Sequence, residues 1–561
     1  MAVPTEDSEQ TPLLAPSSSS TTTIIADESV SAASEDDFTE GSNISALRGT
    51  VLGACIAILI FLQTANFSMM TTIQSSIAVD LDAFQNASWF TSTYLIAGSS
   101  ITPLAGRLCH LFSPRAYILV SCLIMAVGAL ITSLSPRLAV FLLGRAIHGV
   151  GGAAIFPVSL ILIIELTNVK RRGLYLGCVN TCYTIGVACG AIIAGALEPV
   201  MGWRGIFGLQ VPLSITMGIG VFLAIPSSIS PNPTNLINPG LLPTRLSQID
   251  FLGVLLLITT TVLFLYGLST PQITYSTIAC SFITLLAFLF IESKPYLSTT
   301  QPILPLPVLK SPAVLLTCLS TLSAMIARWS ILFYTPVYAL AVRDFSPAKA
   351  GLILLPTNAG FALGNLLLGY FHVKRAGSFY TSSLVVYALF SLSVLVMGSI
   401  TTREVGMGWY FLTAGVNGFT MGANMIYTLT HVLHRTPKES HFIVSSLLAM
   451  FRGMSASFGS AIYGGLFSRI LTQALTEGFE EKGFPLEGKR ELIRRLLGSP
   501  ALVGSLVGVE REVAVEGYVV ALKTLFLTAA VVAAVATLLQ AGTGWMAADK
   551  FDKGRKSPVE E

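Results

Sequence analysis

Charge is what this sequence has least of. Only 11% of its 561 residues are Asp, Glu, Lys or Arg, whereas 53% are hydrophobic. A soluble chain of this length needs roughly twice that charged fraction to cover its surface, which argues against a multidomain cytosolic enzyme. The net charge of +3 is too small for binding nucleic acid by neutralising phosphates. Eight cysteines are scattered through or beside apolar segments and form neither a disulfide framework nor a paired metal knuckle. No G-x-x-x-x-G-K-[ST] loop occurs, so nothing points to a nucleotide-driven pump. Nor is there a His cluster, a catalytic triad or a carboxylate pair suited to a membrane-embedded enzyme. The sequence therefore predicts neither an enzyme nor a resident cofactor or metal.

What is present is apolar, with 48 Gly, 31 Phe and a mean hydropathy of +0.72. Crossing ~30 Å of hydrocarbon takes about 20 helical residues, and a backbone in lipid must satisfy its own hydrogen bonds. Runs of that length recur at 51–73, 88–108, 116–135, 138–165, 174–197, 205–225, 251–270, 274–292, 312–340, 349–371, 378–400, 407–429, 442–468 and 519–541. They predict an all-α membrane protein with fourteen transmembrane helices and both termini on one side. Residues 1–44 differ from the rest. They carry acidic residues, no Lys or Arg and a Ser/Thr run, and read as a disordered tail. The first span is expected to serve as the insertion signal. Within the tail, Glu9-Gln-Thr-Pro-Leu13-Leu14 resembles an acidic dileucine signal for lysosomes and vacuoles; the alternative is a plain solvated leader.

Lys and Arg in the short connections set the orientation. One set of loops holds Arg107, Arg115, Lys170, Arg171, Arg172, Arg245, Lys294, Lys310, Lys374, Arg375, Arg435 and Lys438, and the other only Arg137, Arg204, Arg343, Lys349 and Arg403. The first set is read as cytosolic, together with the tails 1–44 and 546–561. The connection 469–517 then lies outside or in a lumen, where Leu486 to Leu497, with Arg490, Arg494 and Arg495, suggests a short interfacial helix.

Three arginines fall at membrane depth: Arg145 in the fourth span, Arg328 in the ninth and Arg452 in the thirteenth. Each costs ~3 kcal/mol even on a lenient insertion scale, so each should face the interior, as a cavity residue or as a structural pin. Glu165, at the cytosolic end of the fourth span, could carry protons or pair with Lys170, Arg171 and Arg172. His148, one turn after Arg145, could titrate or donate a fixed hydrogen bond. With three Arg and no acid deeper than Glu165, the interior potential should be positive, favouring neutral or anionic ligands over cations.

Fourteen spans, buried arginines and a glycine-rich interior indicate a secondary transporter. Gly202-Trp-Arg-Gly-Ile-Phe-Gly-Leu-Gln-Val-Pro212 resembles the W-R-x-I-F-x-x-x-x-P signature of the fourteen-helix drug:proton antiporter group of the major facilitator superfamily, whose fungal members include multidrug and vacuolar transporters. Leu143-Gly-Arg145-Ala-Ile-His-Gly149-Val-Gly151-Gly152, Asp250-Phe-Leu-Gly253 and Phe451-Arg452-Gly453 support the resemblance, which covers about 45–545. Gly186, Gly190 and Gly195 in the fifth span resemble the antiporter motif, whose small residues let helices approach and slide. Gly106-Arg-Leu-Cys-His110-Leu-Phe-Ser-Pro-Arg115 is the family's G-x-L-x-D-x-x-G-R-[KR] loop with His110 in place of Asp. Asn66 stands where the family carries an Asp in helix 1, so a carboxylate relay there is not available.

The resemblance implies a major facilitator fold: an N-terminal six-helix bundle at 45–225, a loop and inserted helix pair at 226–292, and a C-terminal bundle at 293–545. It implies alternating access about a central cavity, to which Arg328, Arg452, Asn66, Tyr334 and Asn424 are assigned. Arg145, His148 and Glu165 are assigned to coupling. The expected function is proton-linked export of a small organic molecule by a monomer in the vacuolar or plasma membrane. The rivals are vacuolar uptake of basic amino acids and a non-transporting nutrient sensor.

Overall fold

The computed structural model describes residues 46–111, 113–166, 169–225, 250–270, 273–293, 310–371, 379–437 and 441–544. The acidic tail with Glu9, Leu13 and Leu14, the loop 226–249 and the chain from 545 onward lie outside the described residues.

Helices dominate, as a lipid-embedded backbone requires. They are α1 (Ala46–Asp80), α2 (Ala87–Leu111), α3 (Pro114–Ser133), α4 (Leu138–Gly152), α5 (Ile155–Leu166), α6 (Val169–Ala224), α7 (Phe251–Ser269), α8 (Tyr275–Glu292), α9 (Pro312–Ala341), α10 (Pro347–Leu352), α11 (Leu354–Phe371), α12 (Tyr380–Ile400), α13 (Met407–His434), α14 (His441–Glu481), α15 (Leu486–Gly498) and α16 (Gly508–Ala541). Ten stretches of the described residues are long and apolar enough to cross a membrane. Helix starts follow local chemistry. Ser113 Oγ accepts from Ala116 N at 3.3 Å ahead of Pro114, and the Asp250 carboxylate accepts from Gly253 N at 2.9 Å. The Asp250 to Gly253 motif is thus the cap of α7.

Several boundaries differ from the pattern reading. The run 138–165 is two helices, broken at Ala153 and Ala154. The fifth and sixth spans are joined in α6, where only Gly202, at φ 65° and ψ 172°, leaves helical geometry. A side chain would be strained at that φ, so glycine makes the corner. The connection 469–517 is mostly helical: α14 runs on to Glu481, α15 follows, and α16 begins at Gly508.

Within residues 46–544, α1 packs along α6 and α3 against α4 and α6, while α11 packs on α13 and α9 on α14 and α16. Helices α7 and α8 pair with each other, and α2, α10 and α14 carry contacts between the two groups. At the α1–α6 seam a Cβ on Gly190 would sit 2.5 Å from Ala65 O, so only glycine allows that approach. Outward faces keep Leu123, Leu255, Ile283, Leu366, Leu392 and Leu538 exposed, an apolar exterior suited to lipid.

Candidate functional site

The deep polar residues gather at two places. In the first, Arg145 of α4 is fully buried. Its Nε donates to Phe90 O at 3.1 Å and its Nη1 to Asn66 Oδ1 at 3.0 Å. Because Arg only donates, the Asn66 carbonyl must face it; Asn66 Nδ2 then donates to Leu62 O and Gln210 Oε1, each at 2.8 Å. The guanidinium carbon lies 4.5 Å from the Tyr94 ring centre and 5.5 Å from that of Phe207, so π faces stand in for the absent carboxylate. His148 meets the same Tyr94 edge-on at 5.4 Å. Arg145 Nη2, both His148 ring nitrogens and Gln63 Oε1 are buried without a hydrogen-bond partner among the described residues.

The second place joins α9, α11, α14 and α6. Arg328 donates from Nη1 to Thr357 Oγ1 at 3.2 Å and from Nη2 to Thr357 O at 3.4 Å and Asn358 Oδ1 at 3.3 Å. Asn358 is itself turned by donating to Leu354 O at 3.0 Å. The Arg328 guanidinium lies 4.8 Å from the Phe361 ring centre. Arg452 of α14 approaches that ring at 5.9 Å and Tyr183 of α6 at 5.7 Å.

Next to these arginines runs an aromatic layer that pattern reading missed. Phe67 of α1 meets Trp329 of α9 edge-on at 5.5 Å, Trp329 stacks on Phe333 at 5.1 Å, and Phe67 touches Tyr94 at 5.8 Å. The Trp329 indole donates to Ser455 Oγ at 3.1 Å, which fixes its plane. The available signal was that Phe67 follows Asn66 and Trp329 follows Arg328 directly in sequence.

A small, partly open cleft is lined by Thr71 and Gln74 of α1, Ser88 and Thr91 of α2, Phe333 and Tyr334 of α9, and Ser460 and Phe467 of α14, together with Leu497 and Pro500. Tyr334 lines it. Arg328, Arg452, Asn66 and Asn424 do not. Asn66 is taken up by Arg145, and Asn424 is fully buried with its Oδ1 accepting from Thr428 at 2.8 Å.

Helix α15 borders the cleft through Leu497. Gln74 Nε2 donates to Gly498 O at 3.5 Å, and Arg494 pairs with Asp82 at 2.7 Å. Lys489 pairs with Glu510, and Tyr518 donates to Leu496 O. Hydrogen bonds from Arg494 and Arg495 hold the exposed Glu491 carboxyl down at about 2. The W-R motif acts nearby as a pin: Trp203 Nε1 donates to Asp80 at 3.2 Å, and Arg204 pairs with Asp80 and donates to Ser135 O at 3.1 Å.

Gly186 meets Thr64 and Gly190 meets Ala65 and Ser68 on α1, while Gly195 is buried further along α6. Arg115 opens α3 with its guanidinium 4.0 Å from the Phe222 ring centre. Gly106 and His110 fall on the last turns of α2 and Glu165 on the last turn of α5; their side-chain surroundings lie outside the described residues. Among the described residues no group of three His, Cys, Asp or Glu could hold a metal ion.

A family profile described as Major Facilitator Superfamily matches residues 56–460. "Multidrug resistance protein fnx1" of Schizosaccharomyces pombe is 23% identical over 84% of this chain and 88% of its own length. "Acurin A biosynthesis cluster MFS-type transporter" of Aspergillus aculeatus is 25% identical over 75% of this chain and 76% of its own. A bacterial homologue of the human lysosomal transporter Spinster, solved inward-facing and unoccupied, superposes with TM-score 0.57 at 15% identity, covering 92% of this chain and all of that one. A D-xylose–proton symporter superposes with TM-score 0.52 at 13% identity over 82% and 96%. These two likenesses concern the fold alone.

Proposed function

The chain belongs to the major facilitator superfamily, and on that premise we propose that it exports a small organic molecule from the cytosol by alternating access. The observation that carries this reading is the cleft. It is walled by α1 and α2 on one side and α9 and α14 on the other, and α15 borders it through Leu497. A site shared by two helix groups is what rocking of one group against the other would open and shut, with α15 read as its closure. Relatives named as a multidrug resistance protein and a biosynthesis-cluster transporter support export rather than uptake.

In this reading the helices make fourteen spans, with α4 and α5 forming one, α10 and α11 another, and α6 two. They compose an N-terminal bundle at 45–225, an inserted pair within 226–292 and a C-terminal bundle at 293–545. Both termini are cytosolic, and the monomer sits in a vacuolar or plasma membrane. Coupling to protons bypasses α1, because Asn66 has no proton to exchange.

The test is counterflow in proteoliposomes, with an imposed pH gradient, over a panel of neutral, anionic and cationic aromatic compounds and lysine. Saturable, gradient-dependent flux of an aromatic organic compound is expected. Flux of lysine alone would overturn the reading in favour of amino acid uptake, and no flux of any compound would overturn transport.

A further inference from the structure

We propose that Arg328 and Arg452 form the binding site for the carboxylate of a planar aromatic acid, whose ring system lies among Phe361, Tyr183 and Trp329. This deepens the transporter reading and rests on it.

Two guanidinium groups from different helices, α9 and α14, converge on the one ring of Phe361, at 4.8 and 5.9 Å. Like charges drawn together out of water repel, and the repulsion is weakly screened where the surroundings are apolar. Arg328 is 4% exposed, and every hydrogen bond it makes is to a neutral acceptor, a hydroxyl, a carbonyl and an amide, at 3.2 to 3.4 Å. None of the ion pairs among the described residues involves it. A structural pin alone would be cheaper as a neutral side chain, since a buried charge without a counter-charge is costly. An anion arriving at Arg328 within reach of Arg452 offsets the desolvation of the first and the repulsion between the two, and a carboxylate matches the planar fork of an arginine.

The ligand's body follows from what surrounds the charges. Phe361 is buried beside both arginines, Tyr183 faces Arg452 at 5.7 Å from the other helix group, and Trp329 is held by Ser455. These are flat faces, with few groups able to grip a flexible polar chain. Arg452 and Tyr183 keep part of their surface accessible. The cleft beyond Phe67 and Trp329 contains no charged side chain. The anion is therefore bound on the arginine side of the aromatic layer, and the layer must part for it to cross.

The experiment uses the purified full chain in nanodiscs and three probes on one scaffold: 2-naphthoate, its methyl ester and 2-naphthylmethylammonium. Calorimetric titration should show naphthoate binding at least about tenfold tighter than the ester, with no saturable binding of the cation. Arg328→Gln and Arg452→Gln should each weaken naphthoate by about tenfold or more, while ester affinity stays within about twofold. Retained ester binding shows that a variant is folded. If Arg328→Gln does not fold, Arg452→Gln, at the more open position, decides. Equal affinity for naphthoate and ester, no saturable naphthoate binding, or a folded Gln variant that holds naphthoate as tightly as the wild type would overturn the proposal. Anion-selective binding without vesicle transport would leave this site standing and remove the export reading. Transport of the ester while naphthoate neither binds nor moves would do the reverse.

Discussion

Asn66 accepts a hydrogen bond from Arg145 that no pH change can remove, because neither the amide nor the guanidinium gains or loses a proton in the physiological range. Replacing Asn66 by Asp places a carboxylate beside a buried guanidinium, and transport should acquire a new pH dependence, read as proteoliposome flux between pH 5 and 8. Asn66→Ala leaves Arg145 Nη1 and Gln210 Oε1 without their shared partner. It should lower stability by about 1–3 kcal/mol, seen as a drop in Tm. Any proton dependence should survive that change; its loss would show that coupling does run through α1. At the aromatic layer, Trp329→Phe keeps a ring against Phe67 but loses the bond to Ser455. It should cost about 1 kcal/mol, whereas Trp329→Ala should cost about 3–5 kcal/mol and permit leak of cargo across the layer in counterflow assays. The single residues of interest were legible as costs: an arginine or an asparagine in an apolar run stands out. Their partners were not, since Asn66 and Arg145 are 79 positions apart in sequence.

Among the elements, α15 shows how a pattern can reveal a helix and hide its task. Arg490, Arg494 and Arg495 beside Leu492 and Leu496 announce an amphipathic helix, and pattern alone laid it on the membrane surface. In the structure it also borders the cleft, with Arg494 on Asp82 and Leu497 among the lining residues, and we read it as the cleft's closure. Exposed ion pairs contribute about 0–1 kcal/mol each, so Arg494→Ala should leave Tm nearly unchanged. Labelling of a Thr91→Cys reporter in the cleft by a membrane-impermeant thiol reagent should rise several-fold, and unchanged labelling would show that α15 is not a closure. Glu491 adds a pH test. Its carboxyl is held near 2 in the folded protein, so the stability it lends is present above the unfolded value near 4.5 and is lost only as pH falls toward 2. The ratio of Arg494→Ala to parent labelling, which cancels the thiol's own pH dependence, should therefore be the same at pH 5 and pH 7. On α6, Gly190→Leu would drive a side chain into Ala65 O and Ser68. It should cost at least about 1–3 kcal/mol and abolish flux, whereas survival of transport would mean that the α1–α6 seam tolerates separation.

For the whole molecule, destination is a separate property from fold, and on our reading the acidic tail sets it. A fluorescent fusion carrying Leu13→Ala and Leu14→Ala should move from a vacuolar or lysosomal membrane to the cell surface; an unchanged pattern would make Glu9 to Leu14 a solvated leader. The sequence by itself determined that the chain lives in a membrane as helices, which segments are apolar enough to cross it, and that its deep charges are all basic. Each of these is a property of one segment against one solvent: hydropathy, helix length and the insertion cost of an arginine need no knowledge of neighbours. Only the tertiary structure decided that the W-R motif pins α6 to Asp80, that Ala153 and Ala154 break the fourth span, and that Arg328 and Arg452 meet over one Phe361 ring. Only it decided that Phe67 and Trp329, from α1 and α9, close a layer between the arginines and an uncharged cleft. Those are properties of pairs, set by which helix packs beside which and at what rotation, and lipid is as apolar as leucine. Hydropathy is therefore blind to the choice of partner, which falls to close packing and to the few polar groups that must find each other.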